Sequence, residues 1–395
     1  MLDLKFVLEI LYVFPLILNA SASMHSQYGL SYAPTGISEQ KLAFGAAWGK
    51  KFCKWKVKLQ KSSTKGRWEY KNKIIGMATG SAYTFEKLVL FCKSVRVAGF
   101  QGEVLIGVSK LKYRGEMKRL KMFEKFNITA VHLDGLKGGE WGQSICRYYA
   151  YLELIKYFAT DMDTVLISDV RDVFFQDDPF LSSPFGSQYF LEPNYDLLLF
   201  SEGLNDISIK GNATLRNTRG NFRWLMNIYG EEKARLLGEN AVLCSGTTIG
   251  TKAGMQYYTR AILYEGFQCL KRNPRKFDGK RGHVCSGGAD QGFHNFLFWN
   301  GLLLRASALR NAGGPVYTVG IFRGKPVRSL DFERAVDGKI LSPQKRGMQY
   351  PVPIIHQWDR HIDLLEYVFR RFDLAGEGVS KSRFTLRLLD GGYSG

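Results

Sequence analysis

Two carboxylates, Asp169 and Asp172, follow directly on a short apolar run, Thr164 to Ile167, in the stretch Asp163-Thr-Val-Leu-Ile-Ser-Asp-Val-Arg-Asp-Val-Phe-Phe-Gln-Asp-Asp-Pro-Phe180. An apolar run of that length reads as a buried strand, and the C-terminal edge of such a strand is where open α/β sheets bind their ligands. Hard oxygen donors in that crevice suit Mg²⁺ or Mn²⁺, and such an ion characteristically holds substrate phosphates. Six carboxylates lie between Asp161 and Asp178. Asp161, Asp163, Asp177 and Asp178 read as surface or capping groups, and Asp178-Pro179 reads as a turn. Arg171 is either a phosphate contact or the partner that holds a carboxylate in place.

The elements that must position these groups alternate along the chain. The patterning predicts strands at 74–79, 104–108, 128–133 and 164–167, with helices at 85–97, 113–126 and 144–158 between them. Further on it predicts a strand at 196–201 and helices at 231–238, 253–270, 290–299 and 363–372, broken by basic loops at 271–281 and 313–328. Repeated βα units imply an α/β fold with a mostly parallel central sheet flanked by helices on both faces. The turn after the first strand is Met77-Ala-Thr-Gly-Ser81. It lacks GxGxxG, so a dinucleotide fold is unsupported, whereas a nucleoside-diphosphate site with a metal stays open.

The 395 residues are 45% hydrophobic, with a net charge of +19. There are no repeats or heptads, which excludes a solenoid or coiled coil. Residues 50 to 73 hold ten Lys or Arg against the single acid Glu69. They read as a basic, solvated stem that could meet anionic lipid headgroups. No zinc-finger, RRM or KH pattern accompanies them, so no nucleic-acid partner is expected. Ile10 to Leu18 is an apolar run followed by Asn19-Ala-Ser-Ala-Ser23. It predicts a signal peptide or short signal anchor over 1–22, with a buried helix or transit peptide as the alternatives. The expected organisation is then a stem over 23–72, a catalytic domain over 73–375 and a tail over 376–395. Six cysteines without a CxxC pair argue against structural zinc and permit disulfides, with Cys269 paired to Cys285 or Cys244. Asn19, Asn127 and Asn212 stand in glycosylation sequons.

The segment Asp169-Val-Arg-Asp-Val-Phe-Phe-Gln-Asp-Asp-Pro-Phe180 resembles the DxD region of GT-A-type nucleotide-sugar glycosyltransferases, in a subgroup form D-x-R-D-V-x-F-Q-x-D-P-F. Three later segments follow in the order of the glycogenin-like group, glycosyltransferase family 8. Cys244-Ser-Gly-Thr-Thr-Ile-Gly250 resembles the N-[AS]-G segment, with Cys in place of the usual Asn. Gly288-Ala-Asp-Gln-Gly292 resembles the DQ element. Ile354-Ile-His-Gln-Trp-Asp-Arg-His361 resembles the late strand whose His is the third metal ligand. The resemblance spans residues 73 to 361. Arg171 stands where the second Asp of DxD normally does, which leaves open which Asp meets the metal.

The resemblance implies a GT-A-like fold and a metal site of Asp169, Asp172 and His356 holding Mn²⁺ or Mg²⁺. Nucleotide-sugar contacts fall on Ala78, Thr79, Arg147, Asp169, Arg171, Ser245 and Gly246. Asp290 and Gln291 are the catalytic pair. Asp290 acts as a general base with inversion, or the two line the donor sugar with retention. The implied activity is sugar transfer from a nucleoside-diphosphate donor to a glycan, glycoprotein or polysaccharide in the secretory or Golgi lumen. The chain would be secreted or held at the membrane through the N-terminus and basic stem. A nucleotidyltransferase on a related fold, and a non-catalytic glycan- or membrane-binding protein, are the alternatives. His356 closes an apolar strand and could equally be a satisfied core histidine. Asp290 and Gln291 could equally cap their helix, and Trp299, Tyr317 and Trp358 read as core rather than as sugar-stacking surfaces.

Overall fold

The computed structural model describes residues 35–53, 56–58, 72–79, 83–109, 113–134, 145–181, 195–202, 213–273, 284–285, 287–320, 334–343 and 349–382. The frame is an eight-stranded sheet with the order β1-β4-β3-β2-β5-β8-β7-β9. Its strands are β1 (Lys56–Lys58), β2 (Asn72–Ala78), β3 (Glu103–Ser109), β4 (Thr129–Asp134), β5 (Thr164–Asp169), β7 (Leu197–Ser201), β8 (Leu243–Thr251) and β9 (Ala306–Leu309). β4, β3, β2 and β5 run parallel, and β8 runs antiparallel to both β5 and β7. β9 pairs in parallel with β7, and β1 closes the other edge antiparallel to β4.

Side chains alternate across the sheet, and the two faces feed two separate cores. Ile75, Leu105, Val165, Ile167, Leu197 and Leu199 pack into one. Ile74, Val104, Ile106, Leu166 and Leu198 pack into the other. The first core is covered by α4 (Arg147–Phe158), α7 (Lys252–Arg272) and α8 (Ala289–Trp299), and the second by α2 (Phe85–Val97) and α9 (Ile362–Arg371). Each buried Leu, Ile, Val or Phe contributes about 1.5–3 kcal/mol over exposure, so both faces need their helices. The expected layered architecture is therefore present. α4 buries Tyr148, Tyr149, Tyr151, Leu152, Leu154 and Ile155, nearly all of its circumference. Such a helix lies inside the packing rather than over it.

The expectation of an unpacked stem does not hold where residues 23–72 are described. α1 (Glu39–Cys53) buries Leu42, Gly45, Gly49 and Cys53. It fits closely on α7, where a Cβ at Gly45 would lie 2.7 Å from the carbonyl oxygen of Arg260. Arg260 also pairs with Glu39, and β1 joins the sheet. Small residues at 45, 46 and 49 allow that approach, a feature that a charge count over 50–73 does not register. Lys73, at the basic segment's end, is buried in β2 between Glu103 and Asp163. The signal or anchor reading at 1–22 lies outside the described residues. Among the described residues, no helix is long and apolar enough to cross a membrane.

A second, three-stranded sheet has the order β10-β11-β6, from β10 (Val316–Thr318), β11 (Ile354–His356) and β6 (Val173–Phe175). β6 begins one residue after Asp172 and pairs antiparallel with β11, setting Val173 opposite His356. The Gln176 side chain clamps this pairing. Its amide donates to the carbonyls of Ile340 and Val352, and its oxygen accepts from Ile340 N–H and the Tyr367 hydroxyl. Ser94 of α2 accepts from the Phe175 N–H, and Phe91 packs edge-on to Phe175. The F-Q part of the signature is thus a structural device that holds the segment behind Asp172.

Candidate active site

Register places the three candidate ligands together. β5 ends at Asp169, opposite Met77 of β2. Its antiparallel pairing with β8 sets Ser168 opposite Thr247, and the next step of that register brings Asp169 to Gly246. The chain then turns through Asp172 into β6, whose partner β11 delivers His356. Gln357 N–H donates to the Asp172 carbonyl at 2.7 Å and closes the corner.

His356 Nε2 stands 3.8 Å from Asp169 Oδ2 and 3.8 Å from Asp172 Oδ1. That gap is too wide for hydrogen bonds and narrow enough for one ion to meet all three. The three groups offer ligand atoms within 4.8 Å of one another. His356 Nε2 and Asp172 Oδ1 are buried without a hydrogen-bond partner among the described residues. Orphaned buried polar atoms are costly, and a cation between them removes that cost. Among the described residues, His356 is therefore partnered at Nδ1 and not at Nε2. The Asp172 and His356 side chains are 3% and 1% exposed, against 27% for Asp169, so the position opens past Asp169. Its floor is Gly246, where a Cβ would fall 2.4 Å from His356 Cε1 and 2.7 Å from Asp169 Oδ2. The residues present therefore fit a divalent cation with one imidazole and two carboxylates.

Around this core run three sets of polar contacts. Arg171 Nη2 donates to Asp172 Oδ2 at 2.8 Å, and Arg171 also pairs with Asp359, which Lys87 of α2 approaches to 3.8 Å. Of the two roles open for Arg171, the structure shows it holding a carboxylate. Arg147, the first residue of α4, donates to Asp169 Oδ1 at 2.9 Å and to Asp290 Oδ2. Ser245 Oγ reaches the same Asp290 oxygen at 3.3 Å. Gln291 Nε2 donates to Glu202 Oε1 and Asn221 Oδ1. Gln357 Nε2 donates to Glu202 as well.

These neighbours set the ionisation of the acids. Burial alone would raise both metal-facing carboxyls. Arg147 outweighs it at Asp169, and Arg171 and Arg360 outweigh it at Asp172, so both lie below the usual carboxylate range. Asp359 moves the other way, raised by burial and by the charge of Asp172. Burial and the nearby Asp169 carboxylate push the Tyr83 phenol up to about 12. The two acids facing this position are thus ionised, the state in which a carboxylate can hold a cation without losing a proton.

No protein-family model matches the chain, and no curated protein matches it. Among solved structures, it is similar to the galactosyltransferase LgtC in complex with donor and acceptor sugar analogs. That likeness has 14% identity over 77% of this chain and 95% of that one, at a TM-score of 0.40. The glucosyl-3-phosphoglycerate synthase of Mycobacterium tuberculosis, in complex with Mn²⁺ and UDP, is 13% identical over 71% of this chain and 76% of that one, at 0.32. The glycosyltransferase GlyE of Streptococcus pneumoniae is 12% identical over 61% of this chain and 45% of that one, at 0.34. At these scores the likenesses add nothing to what the geometry supports.

The residues singled out in the sequence converge. Asp169, Asp172, His356 and Gly246 surround one position. Arg147, Ser245 and Asp290 form one connected set beside it, and Arg171 backs Asp172. Ala78 and Thr79 are buried at the end of β2, next to the Asp169 end of β5. Gln291 joins a neighbouring network rather than the Arg147 set. Trp299, Tyr317 and Trp358 are buried in the core, as read. Nothing in the local sequence marks Glu202, Asn221 or Lys87. Asp359 lies within the Ile354–His361 segment, and Cys244 carries a signal as the residue replacing the expected Asn.

Proposed function

We propose that this chain is a metal-dependent glycosyltransferase that moves a sugar from a nucleoside-diphosphate donor to a hydroxyl of a glycan, glycoprotein or polysaccharide. The observation that carries the reading is the pair of orphaned buried ligand atoms, His356 Nε2 and Asp172 Oδ1, facing Asp169 across a position left open by Gly246. Asp169, Asp172 and His356 would hold Mn²⁺ or Mg²⁺. Such an ion supplies a Lewis acid that takes up the charge developing on the diphosphate as the glycosidic bond breaks.

The chain's own residues do the rest. Arg171 fixes the Asp172 carboxylate. Arg147 spans Asp169 and Asp290, so the metal-facing acid and the N-terminal turn of α8 keep a fixed spacing. With Oδ2 of Asp290 engaged by a guanidinium and a hydroxyl, Asp290 serves to hold the donor sugar's surroundings in place. Gln291, anchored to Glu202 and Asn221, stands next to it on the same turn. Preorganised dipoles of this kind stabilise developing charge without rearranging during the reaction.

Two disulfides, Cys53–Cys146 and Cys269–Cys285, support an oxidising compartment, and the secretory or Golgi lumen is the location we assign. Membrane association would then rest on the N-terminal apolar run and the basic segment after it.

The test is to incubate the full chain with a panel of nucleotide sugars and Mn²⁺, with and without EDTA, and to measure released nucleotide. Metal-dependent release from one donor is expected. A protein that neither releases nucleotide from any donor nor binds one by calorimetry is not a glycosyltransferase.

A further inference from the structure

Cys244, the departure from the expected Asn, lies buried in β8 with its Sγ 3.4 Å from His356 Nδ1. The Gln357 amide also donates to this sulfur, at 3.9 Å. The same Gln357 amide donates to Glu202, a carboxylate 5% exposed. A thiol both donates and accepts. The sulfur can therefore accept from an imidazole Nδ1–H and from the Gln357 amide together.

We infer that Cys244 and Glu202 act as positioning residues that fix the tautomer of His356, with Nδ1–H donated to sulfur and the Nε2 lone pair presented to Asp169 and Asp172. The opposite tautomer would aim a buried N–H at the place where a cation must sit. A metal-bound imidazole generally needs such a partner on its other nitrogen. Here the partner is a thiol, held with Glu202 by the one Gln357 amide. Gln357 adds an independent sign of constraint. Directly after His356, it takes a left-handed backbone at φ 61°, a conformation that costs a non-glycine residue free energy unless its surroundings enforce it. Its side chain is enforced by Glu202, Cys244 and Arg360 together. Because Glu202 also accepts from Gln291, one carboxylate ties the metal-facing histidine to the turn that carries Asp290.

This inference rests on the metal site proposed above, and two readouts separate the two. The first is the ¹⁵N spectrum of histidine-labelled, metal-free wild type, where His356 is expected as the Nδ1–H tautomer. Finding Nε2 protonated, as the Nε2–H tautomer or as the imidazolium, overturns the inference. The second is Mn²⁺ affinity by calorimetry in the presence of UDP. Cys244→Ala is expected to weaken it by roughly 10–100-fold, the usual cost of losing such a partner. Cys244→Ser, which keeps a donor and acceptor, should recover most of the loss. Glu202→Ala should weaken binding as Cys244→Ala does. If wild type binds Mn²⁺ and folded Cys244→Ala binds it equally well, the inference is wrong while the metal site stands. If wild type binds no Mn²⁺, both fall. Should Cys244→Ala fail to fold, the wild-type spectrum and Cys244→Ser decide.

Discussion

At the scale of the residue, Asp172 has its two oxygens divided between two tasks. Oδ2 takes the Arg171 hydrogen bond and Oδ1 faces His356. Asp172→Ala is expected to abolish sugar transfer while circular dichroism shows a folded chain; unchanged turnover would remove Asp172 from the metal site. His356→Ala should weaken apparent Mn²⁺ affinity, and a metal titration superimposable on wild type would refute that role. Gly246→Ala is the subtler change. The added methyl meets His356 and Asp169 directly. Overpacking of this kind typically costs about 1–3 kcal/mol. The expected outcome is a modest drop in melting temperature with a much larger loss of Mn²⁺ binding.

At the scale of the element, the two disulfides sit beside the segments that hold Arg147 and Asp290. Cys146 immediately precedes Arg147 at the start of α4 and is bridged to the end of α1, across a sequence separation of 93. Cys285 precedes the turn into α8 and is bridged to α7, across a separation of 16. By loop-closure entropy the longer bridge stabilises by about 4–5 kcal/mol and the shorter by about 3. Cys53→Ser with Cys146→Ser should therefore lower the denaturation midpoint more than Cys269→Ser with Cys285→Ser; the reverse order would show that chain entropy does not govern here. α8 also carries His294, whose Nδ1 meets the Tyr258 hydroxyl at 2.7 Å. Burial, and next the charge of Arg147, depress its pKa from 6.5 to about 3. The unfolded chain takes up that proton at higher pH than the native one. The contribution to stability is therefore whole above about pH 6.5 and is lost as pH falls toward 3. His294→Gln should flatten the fall in denaturation midpoint across that range, and an unaltered slope would show that His294 does not contribute to it.

At the scale of the whole molecule, a cation that binds only the folded chain must stabilise it, by about 2.7 kcal/mol at a hundredfold excess over Kd. Mn²⁺ with UDP should raise the melting temperature, EDTA should reverse the rise, and Asp172→Ala should show none. The layered α/β architecture was legible in the sequence because apolar periodicity is a local property. The helix predicted at 85–97 is α2, and the strand before Asp169 is β5. Other elements were not legible. β8 reads Leu-Cys-Ser-Gly-Thr-Thr-Ile-Gly-Thr, with small and polar residues that the interior accepts because neighbours on both sides bury them. β6, β9 and β10 have three or four residues each, too short to show a period. Only the last four residues of α1 overlap the charged run 50–73, and its Gly and Ala residues give no clear apolar stripe. The pairing of Cys53 with Cys146 could not be chosen among the possible pairings. What the sequence determined by itself was the chemistry: two carboxylates after a strand, an imidazole closing another, and a departure at Cys244. What the tertiary structure alone decided was their arrangement. It showed that both carboxylates face the imidazole, that Arg171 backs Asp172, and that a thiol and Glu202 lie behind His356. These contacts come from strand register and from the β6–β11 pairing. Such long-range pairing is set by the packing of two whole cores, which no local stretch of sequence encodes.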